Sequence, residues 1–147
     1  MHLLTEEEQD RVMFAISVAE NRTTGEIRVV VERKCKGDAL DRAADYFRHL
    51  AMHETSLHHG VLIYVATDDH KFAILGDKGI HEKVGDGFWE ATKQAMASHF
   101  KQDDLVGGLL AGIEQAGQQL KTHFPRLGDN VNELPDDIIF GDGEALD

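Results

Sequence analysis

The sequence predicts an α/β protein: a three-layer α/β/α sandwich around a small mixed sheet, with a central parallel strand pair, an antiparallel hairpin strand and about four helices. Three observations carry this. The stretch from His59 to Gly79 reads as two strands back to back around a polar turn. An alternating segment precedes it, separated by a helix-period stripe that serves as a crossover, so these two strands run parallel. Further amphipathic stretches on either side supply apolar helix faces to cover both faces of a sheet.

In chain order, Thr5-Glu6-Glu7-Glu8 is a capping box, with a Thr N-cap and Glu at N3. Its acidic first turn suits the helix dipole. Val12, Ala15, Ile16 and Ala19 recur at helical spacing, which predicts a helix over residues 6–20. Asn21 to Gly25 interrupts it. Residues 26–33 then alternate, with Ile27, Val29 and Val31 on one face and Arg28, Val30 and Glu32 on the other. The polar second face predicts a strand away from the most buried position. Asp38 is the N-cap of a second helix, with an apolar stripe of Leu40, Ala43, Ala44, Phe47, Leu50 and Ala51. The segment HETSLHHG after Met52 is a loop.

Val61 to Ala66 is a continuous apolar run, as in a strand covered on both faces. Thr67-Asp68-Asp69-His70 is turn-forming, and Lys71 to Leu75 is the return strand. Gly76-Asp77-Lys78-Gly79 is a glycine-flanked loop, followed by a polar boundary at Val84 to Gly87. Phe88, Thr92, Ala95, Met96, His99 and Phe100 mark a third helix. His99 falls on its apolar stripe, where a histidine is a core residue with a satisfied ring nitrogen. Asp103 or Asp104 caps a fourth helix, along which Val106, Leu109, Leu110, Ile113, Gly117, Leu120 and Phe124 keep helical spacing. Helix glycines cost about 1 kcal/mol each relative to alanine. Gly108 and Gly112, four apart, therefore mark a close backbone approach to the sheet or to a neighbouring helix.

The 147 residues suit a single domain over residues 1–125, with an acidic extension over 126–147 partly docked through Ile138, Ile139 and Phe140. The net charge of −12 argues against general electrostatic binding of nucleic acid or anionic lipid. One cysteine, Cys35, excludes an internal disulfide. It lies among Arg33, Lys34 and Lys36, but the sequence shows no activating base for a catalytic thiol. The N-terminal MHLLTEEEQD has neither the basic nor the apolar region of a signal peptide. No apolar run approaches the roughly 20 residues that span a bilayer. The expectation is a soluble cytoplasmic protein with no membrane insertion and no nucleic-acid partner.

The ordered set of motifs resembles a known family. Thr24-Gly25-Glu26-Ile27 opens a strand, Gly37-Asp38-Ala39 a helix, and His59-Gly60-Val61-Leu62-Ile63-Tyr64 the core strand. Asp68-Asp69-His70-Lys71-Phe72 makes the hairpin turn, Gly76-Asp77-Lys78-Gly79-Ile80 follows, and the last helix reads GGLLAGIEQAG. Over residues 5–125 this resembles the TPM domain family, which includes thylakoid lumen proteins linked to photosystem II repair. The run Asn132-Glu133-Leu134-Pro135-Asp136 looks like the tail of stand-alone bacterial members. The resemblance implies an α/β/α sandwich, divalent cation binding with calcium as the usual candidate, and an acid phosphatase activity ascribed to some members. Where the family commonly has Asn before the Gly of the core strand, this sequence has His59.

Strand directions sort the polar residues into two ends. Glu26 begins the first strand, His59 precedes the second, and Asp77 returns to that end after the third; Glu82 and Asp86 follow. Glu26, Asp77, Glu82 and Asp86 are thus candidate oxygen ligands for Ca²⁺ or Mg²⁺. The same residues also suit plain roles as strand start, turn and helix cap. The opposite end holds Asp38, Asp68 and Asp69, at the carboxyl end of the parallel strands where open α/β sheets bind ligands; Asp68 and Asp69 are the fallback metal site. His53, His58 and His59 cluster beside Glu54, but their spacing matches no zinc motif. No GxSxG or GxxxxGK[ST] occurs. The reading that results is a divalent cation-binding accessory module with an unknown protein partner. The alternatives are a metal-dependent acid phosphatase using the same carboxylates and a protein-interaction domain without metal.

Overall fold

Residues 26–32 are buried one after another and form β1 (Glu26–Glu32). It runs parallel to β2 (Gly60–Ala66) on one side and to β4 (Ile138–Phe140) on the other. β3 (Lys71–Gly76) returns antiparallel from β2, giving the order β3-β2-β1-β4. The computed structural model from which this is drawn describes residues 3–85, 87–126, 136, 138–144 and 146.

Five helices lie among the described residues: α1 (Glu6–Glu20), α2 (Ala39–His49), α3 (Lys78–Val84), α4 (Glu90–Phe100) and α5 (Leu105–His123). Alternation along the strands divides the core in two. Ile27, Val29, Val31, Ile63 and Val65 face α1, α4 and α5, where they meet Val12, Ile16, Met96, Ile113 and Leu120. Val30, Leu62 and Tyr64 face α2 and a single 3₁₀ turn (Met52–Glu54), against Ala43, Tyr46, Phe47 and Met52. The result is the mixed α/β sandwich expected from the sequence.

Local chemistry sets the helix starts. The Thr5 hydroxyl accepts from the Glu8 N–H at 3.1 Å while Glu8 Oε1 accepts from the Thr5 N–H at 2.9 Å, a complete capping box. Asp38 Oδ1 accepts from the Leu40 and Asp41 N–H groups. Of the two candidate caps for α5, Asp104 is the one used, with its Oδ1 accepting from the Gly107 N–H at 3.0 Å.

Four expectations need correction. β1 is not peripheral: it is an interior strand, and Glu26, Arg28 and Glu32 are all buried. Polar residues fit there because partners inside the protein, rather than solvent, satisfy Glu32. The Gly76–Gly79 stretch is not all loop, since α3 begins at Lys78 with Asp77 as N-cap. Its periodicity is hard to read because only Ile80, with Val84 partly buried, anchors its seven residues to the core. Ile138–Phe140 does not merely dock but adds a fourth strand. His99 is half-exposed rather than core, its Nδ1 lying 3.1 Å from Asp104 Oδ2 at the α4–α5 turn. Of the run 132–136, only Asp136 lies within the described residues.

The glycines of α5 sit where helices touch. A Cβ at Gly112 would lie 2.7 Å from Met96 Sδ in α4, and one at Gly117 would lie 2.8 Å from the Ala19 Cβ in α1. The close approach is therefore helix to helix. Gly117→Ala gains about 1 kcal/mol of helix propensity, but Ala19 has no rotamer with which to yield. A net loss of about 1–2 kcal/mol is expected, seen as a Tm lowered by about 2–6 °C in calorimetry. An unchanged or raised Tm would show that α1 and α5 can separate at no cost.

Candidate functional site

The two ends of the sheet differ in how their carboxylates are satisfied. At the carboxyl end of β1 and β2, Glu32 is completely buried. Arg42 of α2 donates to it twice, from Nε to Oε2 at 2.8 Å and from Nη2 to Oε1 at 3.0 Å. The Tyr46 and Tyr64 hydroxyls donate as well, at 2.9 and 2.5 Å, and so does the Gly143 N–H at 3.1 Å. Burial pushes the Glu32 carboxyl up, but these hydrogen bonds outweigh it and hold the group below its ordinary 4.5. The same network pushes Tyr46 up to about 12, burial leading and the Glu32 hydrogen bond adding.

Asp69 and Asp68, the fallback ligands, are at this end and already engaged. Asp69 Oδ2 accepts from the Cys35 N–H at 2.7 Å, and Asp68 Oδ1 lies 3.7 Å from Arg33 Nη1. Lys71 Nζ donates to the Cys35 and Gly37 carbonyls. These side chains fix the loop between β1 and α2. Cys35 is buried there, with its thiol donating to the Gly37 carbonyl at 3.5 Å.

The opposite end holds two further buried carboxylates, Glu26 and Asp77. Glu26 and Asp77 flank the start of β2: Glu26 pairs with Gly60, and the Asp77 N–H donates to the Gly60 carbonyl at 2.8 Å. Both carboxylates are buried, at 6% and 7% exposure. Asp77 Oδ1 accepts from the Lys78 N–H, but its Oδ2 has no hydrogen-bond donor. His58 Nδ1 lies 3.5 Å from that oxygen and is charged only when the imidazole is protonated. His58 itself holds a left-handed backbone, φ 56°. A Cβ at Gly79 would lie 2.7 Å from the Leu57 carbonyl oxygen, so only glycine lets α3 approach this loop. His59 Nδ1 contacts Thr24 Oγ1 at 2.8 Å and the ring packs on Phe124 at 4.1 Å. Burial, with Lys83 nearby, lowers its pKa.

Glu20 and Asp136, neither of them a candidate ligand by sequence, also lie at this end. Glu20 is the last residue of α1 and is fully buried. Its Oε2 accepts from the Ile27 N–H at 2.8 Å, while Oε1 has no donor. Asp136 lies within hydrogen-bonding reach of it, and Asp136 Oδ1 is likewise buried without a donor. Burial above all, then Asp136 beside it, pushes the Glu20 carboxyl up to about 9. A signal was present: Val12, Ile16 and Glu20 are the buried residues of α1, four apart, so a carboxylate continues the apolar stripe.

The structure thus brings Glu26 and Asp77 to one end. Glu82 is exposed on α3, and Asp86 lies outside the described residues. Among the described residues no group of three or more His, Cys, Asp or Glu is arranged to hold a metal ion. His53 is exposed and lies 3.9 Å from Glu54. Among the described residues no helix is long and apolar enough to cross a membrane.

A buried carboxyl cluster at the start of a β1–α2–β2 crossover, under a three-helix layer, is the setting in which comparison with known proteins becomes informative. The family model of the TPM domain matches residues 1–119, and the chain belongs to that family. The NMR structure of BA42, from the psychrophilic bacterium Bizionia argentinensis, is 46% identical, with 95% of this chain and 97% of that one covered and a TM-score of 0.90. Two N-terminal domains share the fold alone. That of cg2496 from Corynebacterium glutamicum is 17% identical (80% and 74% covered, TM-score 0.65). That of a P. gingivalis protein is 18% identical (83% and 79% covered, TM-score 0.69). No curated protein matches.

The two ends make opposite predictions. Arg42→Met leaves Glu32 buried without its cation and is expected to cost about 3–5 kcal/mol in urea unfolding; a loss below about 1 kcal/mol would mean the tyrosines and Gly143 suffice. Glu20 is raised from 4.5 to about 9, so unfolding between those values releases its proton. Its contribution is complete below pH 4.5 and is lost as pH rises through 9. Glu20→Gln should flatten that decline in chelator-treated protein, and parallel stability–pH profiles for the two proteins would show Glu20 to be ionised when folded.

Proposed function

We propose that this TPM domain is a divalent-cation-binding accessory module that takes Ca²⁺ or Mg²⁺ at the amino-terminal end of its parallel strands. One observation carries the reading. At that end Asp77 Oδ2 is buried with no hydrogen-bond donor and the buried Glu20 carboxyl lies beside Asp136, whereas Glu32, Asp68 and Asp69 at the other end are engaged. A buried acceptor without a donor costs about 1–3 kcal/mol, more if charged. A hard cation satisfies several carboxylate oxygens at once, and Ca²⁺ or Mg²⁺ completes its shell with water. In this reading Glu26 and Asp77, both buried at this end, act as ligands, with Glu82 exposed on the adjoining helix.

Calorimetric titration of chelator-treated protein with CaCl₂, then MgCl₂, tests this. Binding is expected, weakened at least about tenfold by Glu26→Gln with Asp77→Asn and untouched by Asp68→Asn with Asp69→Asn. Absence of both heat and thermal stabilisation at ion concentrations above about 10 mM would overturn it and leave a metal-free interaction domain. If a cation binds, it could activate a water for phosphate-ester hydrolysis. Chelator-sensitive hydrolysis of p-nitrophenyl phosphate, lost in the same variants, is the test of an acid phosphatase.

A further inference from the structure

The outer side of the helix layer has an apolar groove open to solvent. α1 and α5 meet where a Cβ at Gly117 would lie 2.8 Å from the Ala19 Cβ. Arg11 of α1 interacts electrostatically with Asp104, the N-cap of α5. The two helices therefore run in the same direction. On the solvent side of their contact they frame a groove of about 480 Å³, with Ala15, Ile113 and Gly117 between Val18 and Leu110. Phe14 and Val18 border it at 71% and 40% exposure. Large apolar side chains exposed next to one another mark a surface that binds another.

The charges along the groove are ordered. Because the helices run together and Gly117 faces Ala19, Lys121 stands at the Arg22 end, and both are exposed. Glu114 is the one acidic residue of the lining among the described residues. An occupant that fits has an apolar side chain for the groove and carboxylates about two helical turns away for Arg22 and Lys121. α1 itself carries that pattern. At helical spacing Glu7, Arg11, Phe14, Val18 and Arg22 fall on one stripe, and Glu6, Glu7 and Glu8 make its first turn acidic.

We propose that two copies of this chain associate through this groove, as a symmetric dimer with the α1 helices antiparallel. A dyad between positions 14 and 15 makes the surface self-complementary. It sets the Phe14 of each copy over the Ala15 of the other, at the groove. It also sets the Glu7 of each copy at the Arg22 and Lys121 end of the other. Glu7 to Phe14 and Ala15 to Arg22 are each seven residues, about 10 Å along a helix, so both contacts form in one register. That register brings the second copy's Arg11 level with Val18, beside Glu114. α1 has 15 residues and is about 22 Å long. The interface therefore belongs to the small, transient class, below about 1,200 Å². Each copy carries a net charge of −12, a long-range repulsion that association must overcome. A Debye length of about 8 Å at physiological salt screens most of it and leaves the paired charges at the dyad in contact.

Sedimentation equilibrium of the full chain tests this, at about 0.01–1 mM protein and about 0.15 M salt. The protein is chelator-treated, so the outcome is separate from the cation-binding reading. A concentration-dependent monomer–dimer equilibrium is expected. Phe14→Ala, at an exposed position, should keep the wild-type Tm and weaken association at least about tenfold. Arg22→Glu should weaken it about tenfold by setting like charges against each other at both ends of the dyad. Glu7→Arg added to Arg22→Glu should restore association to within about threefold of wild type, because the swap returns opposite charges to each end. A wild-type chain that stays monomeric at every concentration would overturn the inference. So would a dimer that Phe14→Ala leaves intact, or a charge swap that folds with wild-type helix content and fails to restore association.

Discussion

Glu32 ends the interior strand of the sheet inside the protein, and a carboxylate there is tolerated only with a full set of donors. Arg42 comes from α2, Tyr46 from the same helix one turn on, Tyr64 from β2 and the Gly143 N–H from the chain beyond β4. One ionised group therefore ties together the crossover helix, the neighbouring parallel strand and the C-terminal segment. The position of α2 on its face of the sheet depends on this as much as on Phe47 and Met52. Arg42 also donates to the Glu144 carbonyl, so the C-terminal segment is held twice, once by Arg42 and once by Glu32 through the Gly143 N–H.

The amino-terminal end of the same strand is built the other way. It too has a buried glutamate at the strand, Glu26, and a second behind it, Glu20. Glu20 receives only the Ile27 N–H, and the Glu20 carboxyl stays protonated up to about pH 9. A single sheet thus has one end where a buried carboxylate, Glu32, is held ionised by its donors and one where a buried carboxyl, Glu20, keeps its proton. This asymmetry separates the structural carboxylates from the candidate ligands. It also runs against the usual preference of open α/β sheets for ligands at their carboxyl end, because here that end is filled by Arg42, Lys71 and their partners.

Much of the fold was legible in the sequence because apolar spacing carried it. The capping box at Thr5, the N-cap at Asp38, the run Val61 to Ala66 and the turn at Thr67 to His70 each signal locally what they form. α3 was not legible, since in seven residues a single apolar pair, Ile80 and Val84, is too short a pattern to set a period. β4 was hidden because three residues in an acidic tail make a strand only when an edge of β1 is free to receive them. Of the candidate site, Glu26 and Asp77 could be placed at one end by strand direction alone. Glu20 continued an apolar stripe at spacing four from Ile16, a signal that periodicity registers but that residue chemistry alone would assign to the surface.

By itself the sequence determined the class of fold, the order and direction of its first three strands, the helix caps and the family, because each depends on short-range pattern or on the order of motifs. The tertiary structure alone decided that β1 is interior, that α5 lies against α4 and α1 through its glycines, and which carboxylates keep a donor. Those outcomes depend on residues far apart in the chain meeting in space, Glu32 with Gly143 and Glu20 with Asp136. The cost of burying an acceptor is fixed only by which partners arrive beside it.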